Sequence, residues 1–137
     1  KFYVVGSKVT DEIKALEQPD NGIVIKGFVS DEELERLYAT CRVVVVPLRY
    51  GAGVKGKVLE ALYNGAPVIT TSIGAEGIPF VEQALKIEDT AEGFARQTID
   101  LYQNPDLCRQ MEQKTQDYMK KYFSLDGAWD IIKDDFT

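Results

Sequence analysis

A glycine-rich segment at positions 46–62, VPLRYGAGVKGKVLEAL, contains the residues best suited to chemistry. Gly51, Gly53 and Gly56 let a ligand approach the backbone closely, because glycine has no Cβ. The apolar spacing after them predicts a helix that begins near Gly53 and ends near Asn64. The first N–H groups of a helix lack internal partners and the dipole is positive there, so this start favours an anion such as a diphosphate.

Three charged side chains extend this predicted anion site. Lys55 and Lys57 lie at the helix start, but successive residues are about 100° apart around a helix, so the two point to different sides. Lys57 shares the side of Gly53 and Glu60, which makes it the better candidate for a phosphate contact. Glu60 stands six residues after Val54, or about 9 Å along the axis. A carboxylate there could bind ribose hydroxyls while the helix start holds the diphosphate.

Each of these features also has an ordinary structural explanation. Closely spaced glycines are as typical of a flexible strand-to-helix turn as of a phosphate site. Lysines near a helix start are usually solvated, and a lone glutamate within a helix most often lies on the surface. Gly6, after the first predicted strand, is more often a turn residue than a ligand contact.

The elements around this segment alternate between short apolar runs and helical stretches. The predicted strands are 2–5, 22–25, 43–46, 67–71 and 84–87. The predicted helices are 10–17, 31–39, the helix after the glycines, one capped by Asp89 or Thr90 and ending at Gln103, 105–122 and 126–136. Ser30 and Glu33 form a predicted capping box. This alternation predicts an α/β fold, a Rossmann-like doubly wound parallel sheet with helices on both faces.

In such a sheet, ligands lie beyond the carboxyl ends of the strands. Three loops are therefore candidates for ligand contact: those after Gly6, after Ile25 and after Val46. The third loop leads into the glycine-rich segment.

Composition excludes several function classes. The net charge of −6 argues against a broad surface for nucleic acid or anionic membranes. The chain has no histidine, which removes imidazole bases, Ser-His triads and most zinc sites, so no metal is expected. Cys41 and Cys108 are far apart and are expected to be reduced thiols. No secretory signal or membrane-spanning run is visible, and the expected location is cytoplasmic.

The glycine-rich segment resembles the donor-binding signature of retaining family-4 (group 1) glycosyltransferases, which have the two-domain GT-B fold. The resemblance runs through 47–62 and the following 65–71, GAPVITT, and includes VVG at 4–6 and IKGFV at 25–29. It also includes DEEL at 31–34 with Tyr38, so it covers nearly the whole chain in one order.

The resemblance implies roles for residues in two regions. Glu60 would contact the ribose, and the amides from Gly53 to Lys55 would meet the diphosphate or sugar. The stretch 26–28 would lie beside the base. Together with the loop positions, the candidate donor-binding residues are Gly6, Lys26, Gly27, Phe28, Gly51, Gly53, Val54, Lys55, Lys57 and Glu60.

Two departures from the family pattern bear on function. The family usually has Glu-x7-Glu, and its first glutamate, which commonly holds the donor sugar, would fall at Ala52. The family's first strand, its Gly-Arg loop and the whole acceptor domain would lie before Lys1. The chain is therefore expected to be one nucleotide-sugar-binding domain, 1–137, whose partner is a missing N-terminal acceptor domain and which transfers no sugar alone.

The implied function is the donor-binding half of an enzyme that transfers a hexose from a nucleoside diphosphate sugar to an acceptor hydroxyl. No cofactor is expected besides this donor substrate. The alternative is a non-catalytic nucleotide-binding or regulatory module derived from such a transferase, which Ala52 favours. A flavodoxin-like receiver is disfavoured, because no acidic cluster follows the first strand. An apolar stripe of Trp129, Ile132 and Phe136 would pack on the domain's own core or against the other domain.

Overall fold

The computed structural model describes residues 1–123 of the 137-residue chain. Contacts divide the chain into two compact units, Lys1–Leu37 and Tyr38–Thr137. The predicted helix 126–136, with Trp129, Ile132 and Phe136, lies outside the described residues.

The first unit contains one parallel strand pair. Its elements are β1 (Phe2–Val5), α1 (Asp11–Lys14), a 3-10 turn (Pro19–Asn21), β2 (Ile23–Gly27) and the start of α2 (Asp31–Thr40). Phe2 lies opposite Ile23, and Val5 lies opposite Gly27. Parallel pairing brings the carboxyl ends of β1 and β2 to the same edge.

The second unit contains a three-stranded parallel sheet in the order β3-β4-β5. Its elements after the end of α2 are β3 (Val44–Val46), α3 (Gly56–Tyr63), β4 (Val68–Thr70), α4 (Ser72–Ala75), a 3-10 turn (Val81–Gln83), β5 (Lys86–Ile87), α5 (Ala91–Gln103) and α6 (Pro105–Tyr122). The predicted α/β class, with parallel strands and flanking helices, is confirmed. Hydrogen bonds join the strands into two sheets, whereas the sequence predicted one.

The predicted start of α3 is wrong by about one turn, because the helix begins at Gly56 and not near Gly53. Gly51 and Gly53 have φ values of +119° and +81°, which a right-handed helix does not allow. Lys55 is extended at the N-cap position. The glycines therefore form the loop that precedes the helix. Val54 is 36% exposed in this loop.

The core of the second unit surrounds β4, whose three residues are fully buried. β4 lies between β3 and β5, so neighbours cover both of its edges. β3 is an edge strand of this sheet, and its residues Val44 and Val45 are half-buried. The apolar face of α3 packs beside β4 through Val58, Leu59, Ala61 and Leu62.

Helix caps define the remaining boundaries. Thr90 caps α5 by accepting from the Gly93 N–H at 3.0 Å, so Thr90, rather than Asp89, is the cap. Asn104 caps α6 by accepting from the Leu107 N–H at 3.1 Å, and Pro105 occupies the first helical position. α6 has the predicted bounds. Cys41 and Cys108 are free thiols.

Gly74 of α4 lies against β4 with no space for a side chain. A Cβ at this position would lie 1.8 Å from the Thr70 hydroxyl oxygen. That hydroxyl is buried and donates to the Val46 carbonyl at 2.9 Å, so moving it would break a buried hydrogen bond.

Gly74→Ala should therefore lower the free energy of unfolding by about 1–3 kcal/mol through overpacking. Urea denaturation measures this cost. In a Thr70→Ala background the overlapping hydroxyl is absent, so the added cost of Gly74→Ala should be smaller. Equal costs in the two backgrounds would contradict the overlap as the cause.

Candidate functional site

The loop of residues 47–55 joins the end of β3 to α3, at the edge where parallel strands present ligand-binding loops. Its first part is anchored to the end of β4. The Thr71 hydroxyl donates to the Leu48 carbonyl at 2.6 Å. The same hydroxyl accepts from the Gly74 N–H at 3.2 Å and so caps α4. One side chain thereby joins the loop after β3 to the helix after β4.

Gly51 and Gly53 are required by backbone conformation. Their positive φ values lie in a region that other L-residues rarely adopt. A Cβ at Gly53 would meet nothing within 4 Å, so space does not select glycine there. A Cβ at Gly51 would lie 3.1 Å from the Lys55 Cε atom.

The two lysines of the segment have different environments. Lys55 Nζ donates to the Gly53 carbonyl at 2.6 Å, so this ammonium is folded onto its own loop. Lys57 is exposed in the first turn of α3. The preference for Lys57 as the phosphate contact stays a prediction, and these contacts fit it.

The free N–H groups at the start of α3 differ from those expected. The Lys55 carbonyl accepts from the Val58 and Leu59 N–H groups at 3.1 and 3.4 Å. The N–H groups of Gly56 and Lys57 precede these bonds, and a helix offers no acceptor for them. An anion at this helix start would therefore meet Gly56 and Lys57 rather than the helical amides predicted near Gly53.

The Gly53 N–H has a partner that the sequence did not reveal. It donates to the Glu76 Oε1 atom at 3.1 Å. The structure brings Glu76 to the glycine-rich loop across 23 positions of sequence.

Glu60 lies in the middle of α3 and is half-buried. Its carbonyl accepts from the Asn64 backbone and side-chain amides at 3.1 and 2.8 Å. Burial raises the pKa of the Tyr38 phenol well above its ordinary value, and the charge of Glu60 raises it further. Tyr38 packs at the margin of the core cluster.

In the first unit, the other four candidate residues lie at the carboxyl ends of β1 and β2. The Gly6 N–H donates to the Gly27 carbonyl at 2.8 Å, and Gly27 has a φ of +64°. Phe28 is 79% exposed. Lys26 Nζ lies 2.6 Å from the Glu33 carboxylate and 5.2 Å from the centre of the Tyr3 ring.

The Lys26–Glu33 ion pair changes the expected capping box. The hydrogen bond from Lys26 lowers the pKa of the Glu33 carboxyl, partly opposed by desolvation. The Glu33 N–H donates to the Ser30 hydroxyl at 3.2 Å, which is half of the predicted capping box. The carboxylate pairs with Lys26 and Arg36 instead of completing the box. The roles of Gly6, Lys26, Gly27 and Phe28 beside a base stay predictions.

Other features of residues 1–123 were searched for alternative sites. This part of the chain has no group of three or more His, Cys, Asp or Glu residues placed to hold a metal ion. None of its helices combines the length and apolar character needed to cross a membrane. A cavity of about 420 Å³ is lined by residues 82–87, by Gln97 of α5, and by Met111 and Lys114 of α6.

The chain is similar to a known family and to part of a known protein. The family profile described as Glycosyl transferases group 1 matches residues 1–104. A Klebsiella pneumoniae protein described as "Uncharacterized 44.6 kDa protein in cps region" is 48% identical over 48 residues. That match covers 35% of this chain and 12% of the relative, so the chain is similar to a small part of a longer protein.

Glu60→Gln should lower the pKa of Tyr38 but leave it raised, because burial is the larger cause. A raised phenol pKa means that stability is present below the usual value of about 10 and declines as pH rises above it. Alkaline absorbance titration, taken as the difference from Tyr38→Phe, isolates this phenol from the six other tyrosines. Glu92→Gln, on exposed α5 surface, is the charge control. An unchanged Tyr38 pKa in Glu60→Gln would contradict this effect of the Glu60 charge.

Proposed function

The chain belongs to the glycosyl transferases group 1 family, and from this premise we propose that it binds the nucleoside diphosphate sugar donor of a retaining transferase. It would serve as the C-terminal, donor-binding half of a GT-B enzyme. The complete enzyme would transfer a hexose to a hydroxyl of an acceptor that a second domain binds. Family membership supports glycosyl transfer, and the start of α3 supports the donor-binding role.

The observation that carries the proposal is the conformation of the loop before α3. Two left-handed glycines turn the chain so that α3 begins with unpaired N–H groups and with Lys57 exposed. Such a helix start favours a diphosphate. Glu60 is three residues beyond Lys57, or about 4.5 Å along the axis, so one helix can meet both phosphate and ribose.

The proposed chemistry needs electrostatic stabilisation rather than a general base from this chain. Negative charge builds on the diphosphate as the bond to the sugar breaks. The N–H groups of Gly56 and Lys57 and the Lys57 ammonium would be oriented before that charge develops. Holding the donor in a fixed position would further lower the barrier to transfer. In this proposal, amides and cations do this work without a bound metal.

A second candidate is a module that binds nucleotide without turnover. It is favoured by Ala52, which offers no side-chain acceptor in the loop where the family usually places a carboxylate. The two candidates share the nucleotide site and differ in transfer. Assay of the complete protein with its acceptor domain separates them, because only the transferase releases nucleoside diphosphate in an acceptor-dependent manner.

The chain should bind UDP, GDP or ADP with shifts of the Gly56, Lys57 and Glu60 amide signals in NMR titrations. Glu60→Gln should weaken binding of the preferred nucleotide more than binding of pyrophosphate, because pyrophosphate has no ribose. Glu35→Gln is the control that removes a charge from another helix. Absence of shifts in α3 at millimolar nucleotide would refute the proposed site.

Lys57→Met should weaken diphosphate binding by roughly tenfold or more, as expected for loss of a charge-assisted contact of about 1.5–3 kcal/mol. The loss should be smaller for a nucleoside monophosphate. Lys55→Met should have less effect, because its ammonium already bonds to the Gly53 carbonyl. Lys120→Met, on exposed α6 surface, removes the same charge far along the sequence. Calorimetry measures the nucleotide affinities of the parent and the three variants. Equal losses of affinity for the mono- and diphosphate would show that Lys57 acts only through the overall electrostatic field of the protein.

A further inference from the structure

Glu76 is placed at the glycine-rich loop by the topology of the sheet. β3 and β4 are adjacent and parallel, so the loop after β3 and helix α4 after β4 leave from the same edge. Glu76 directly follows α4 and is exposed. One of its carboxylate oxygens accepts from the Gly53 N–H at 3.1 Å.

Close packing beside this hydrogen bond also fixes the position of Glu76. Gly77 has a φ of +79°, and a Cβ there would lie 2.9 Å from the Val54 Cγ2 atom. Residues 76–77 therefore contact residues 53–54 through both a hydrogen bond and van der Waals packing. Two independent contacts therefore hold these two segments together.

The support beneath Glu76 is itself hydrogen-bonded. The Ser72 N–H and hydroxyl donate to the two oxygens of Asp89, at 2.8 and 2.6 Å. These bonds lower the pKa of the Asp89 carboxyl. With the Thr71 cap, they hold α4 at its first turn. The Glu76 backbone is thus oriented before any ligand arrives, which is the condition for selective recognition.

The chemistry of this carboxylate suits a neutral polyhydroxyl group. A carboxylate has about four acceptor positions, and the Gly53 N–H uses one of them. Sugar hydroxyls can donate to the others in charge-assisted hydrogen bonds. A diphosphate would instead be repelled by Glu76 and would find the Gly53 N–H occupied. The anion is therefore directed to Gly56 and Lys57, and the sugar to Glu76.

Resting on the proposed donor function, we propose that Glu76 recognises the hydroxyl groups of the donor sugar. Ala52, which precedes Gly53 in the loop, has no side-chain acceptor, so a carboxylate reaches the loop from the end of α4 rather than from the loop itself. Glu76 is then a specificity-determining residue for the hexose, separate from the residues that hold the nucleotide.

The test compares the affinities of a nucleoside diphosphate and its sugar for the same protein. The full 137-residue chain is titrated calorimetrically with UDP and UDP-glucose, GDP and GDP-mannose, and ADP and ADP-glucose. For the pair bound best, the ratio of the two dissociation constants reports the contribution of the sugar. Glu76→Gln should reduce the preference for the sugar nucleotide by roughly tenfold and leave nucleoside diphosphate affinity within about twofold. Glu92→Gln, on exposed α5 surface, is the matched control.

The loop must remain formed for this comparison, and Glu76→Gln retains a side-chain oxygen that can accept from Gly53. The NMR signal of the Gly53 amide reports whether that contact persists. If Glu76→Gln loses the contact with Gly53, a second variant, Glu76→Asp, is tested because it keeps the carboxylate charge. The sugar preference of Glu76→Asp should recover at least in part. Loss of sugar preference without recovery in Glu76→Asp would show a role in loop structure alone and overturn the proposal.

Other outcomes separate this inference from the proposed function. Binding of nucleoside diphosphate by all variants with an unchanged sugar preference overturns only the role of Glu76. Tighter binding of nucleoside diphosphate and pyrophosphate by Glu76→Gln means that Glu76 blocks an anion position, which also overturns it. Failure of the parent chain to bind any nucleotide overturns the proposed function and this inference with it.

Discussion

Two threonine hydroxyls at the end of β4 hold together the parts from which the candidate site is built. Thr70 donates to the Val46 carbonyl at the end of β3, and Thr71 donates to the Leu48 carbonyl in the following loop. Backbone pairing already joins β3 to β4, but these bonds continue the connection beyond the ladder. Because Thr71 also caps α4, the position of the loop depends on the same residue as the helix that carries Glu76.

The distribution of charge explains how an acidic chain can offer a local anion site. The net charge is −6, so any phosphate must be held by short-range contacts rather than by the field of the whole molecule. In the first unit, Lys26 is paired with Glu33. In the glycine-rich loop, Lys55 bonds to a backbone carbonyl. Lys57 is exposed at the start of α3, and so is Arg49 in the loop before it.

The sequence predicted the class of fold and most elements because these follow from local patterns. Alternating apolar runs and capped helices predicted the α/β arrangement, and Asn104 with Pro105 fixed the start of α6. The start of α3 was misplaced because glycines fit a helix pattern and a left-handed loop equally well on composition. Their φ values distinguish a helix from a left-handed loop, and φ values cannot be read from the amino-acid sequence. Glu76 was not identified as a loop contact because its partner lies 23 positions away. The capping box formed only in part for a similar reason, because the Glu33 carboxylate pairs with Lys26 instead of bonding to the start of its own helix.

The packing of Gly77 against Val54 restricts the order in which this protein's sequence can change. A side chain at position 77 would overlap the Val54 methyl group, so it can be accepted only after position 54 becomes smaller. The left-handed backbone at 77 then limits the newcomer to residues such as asparagine that tolerate it. Among homologous sequences, the two positions should therefore vary as a pair. A lineage that loses the small residue at 77 should show a shortened residue at 54 beforehand, although more than twenty positions separate them along the chain.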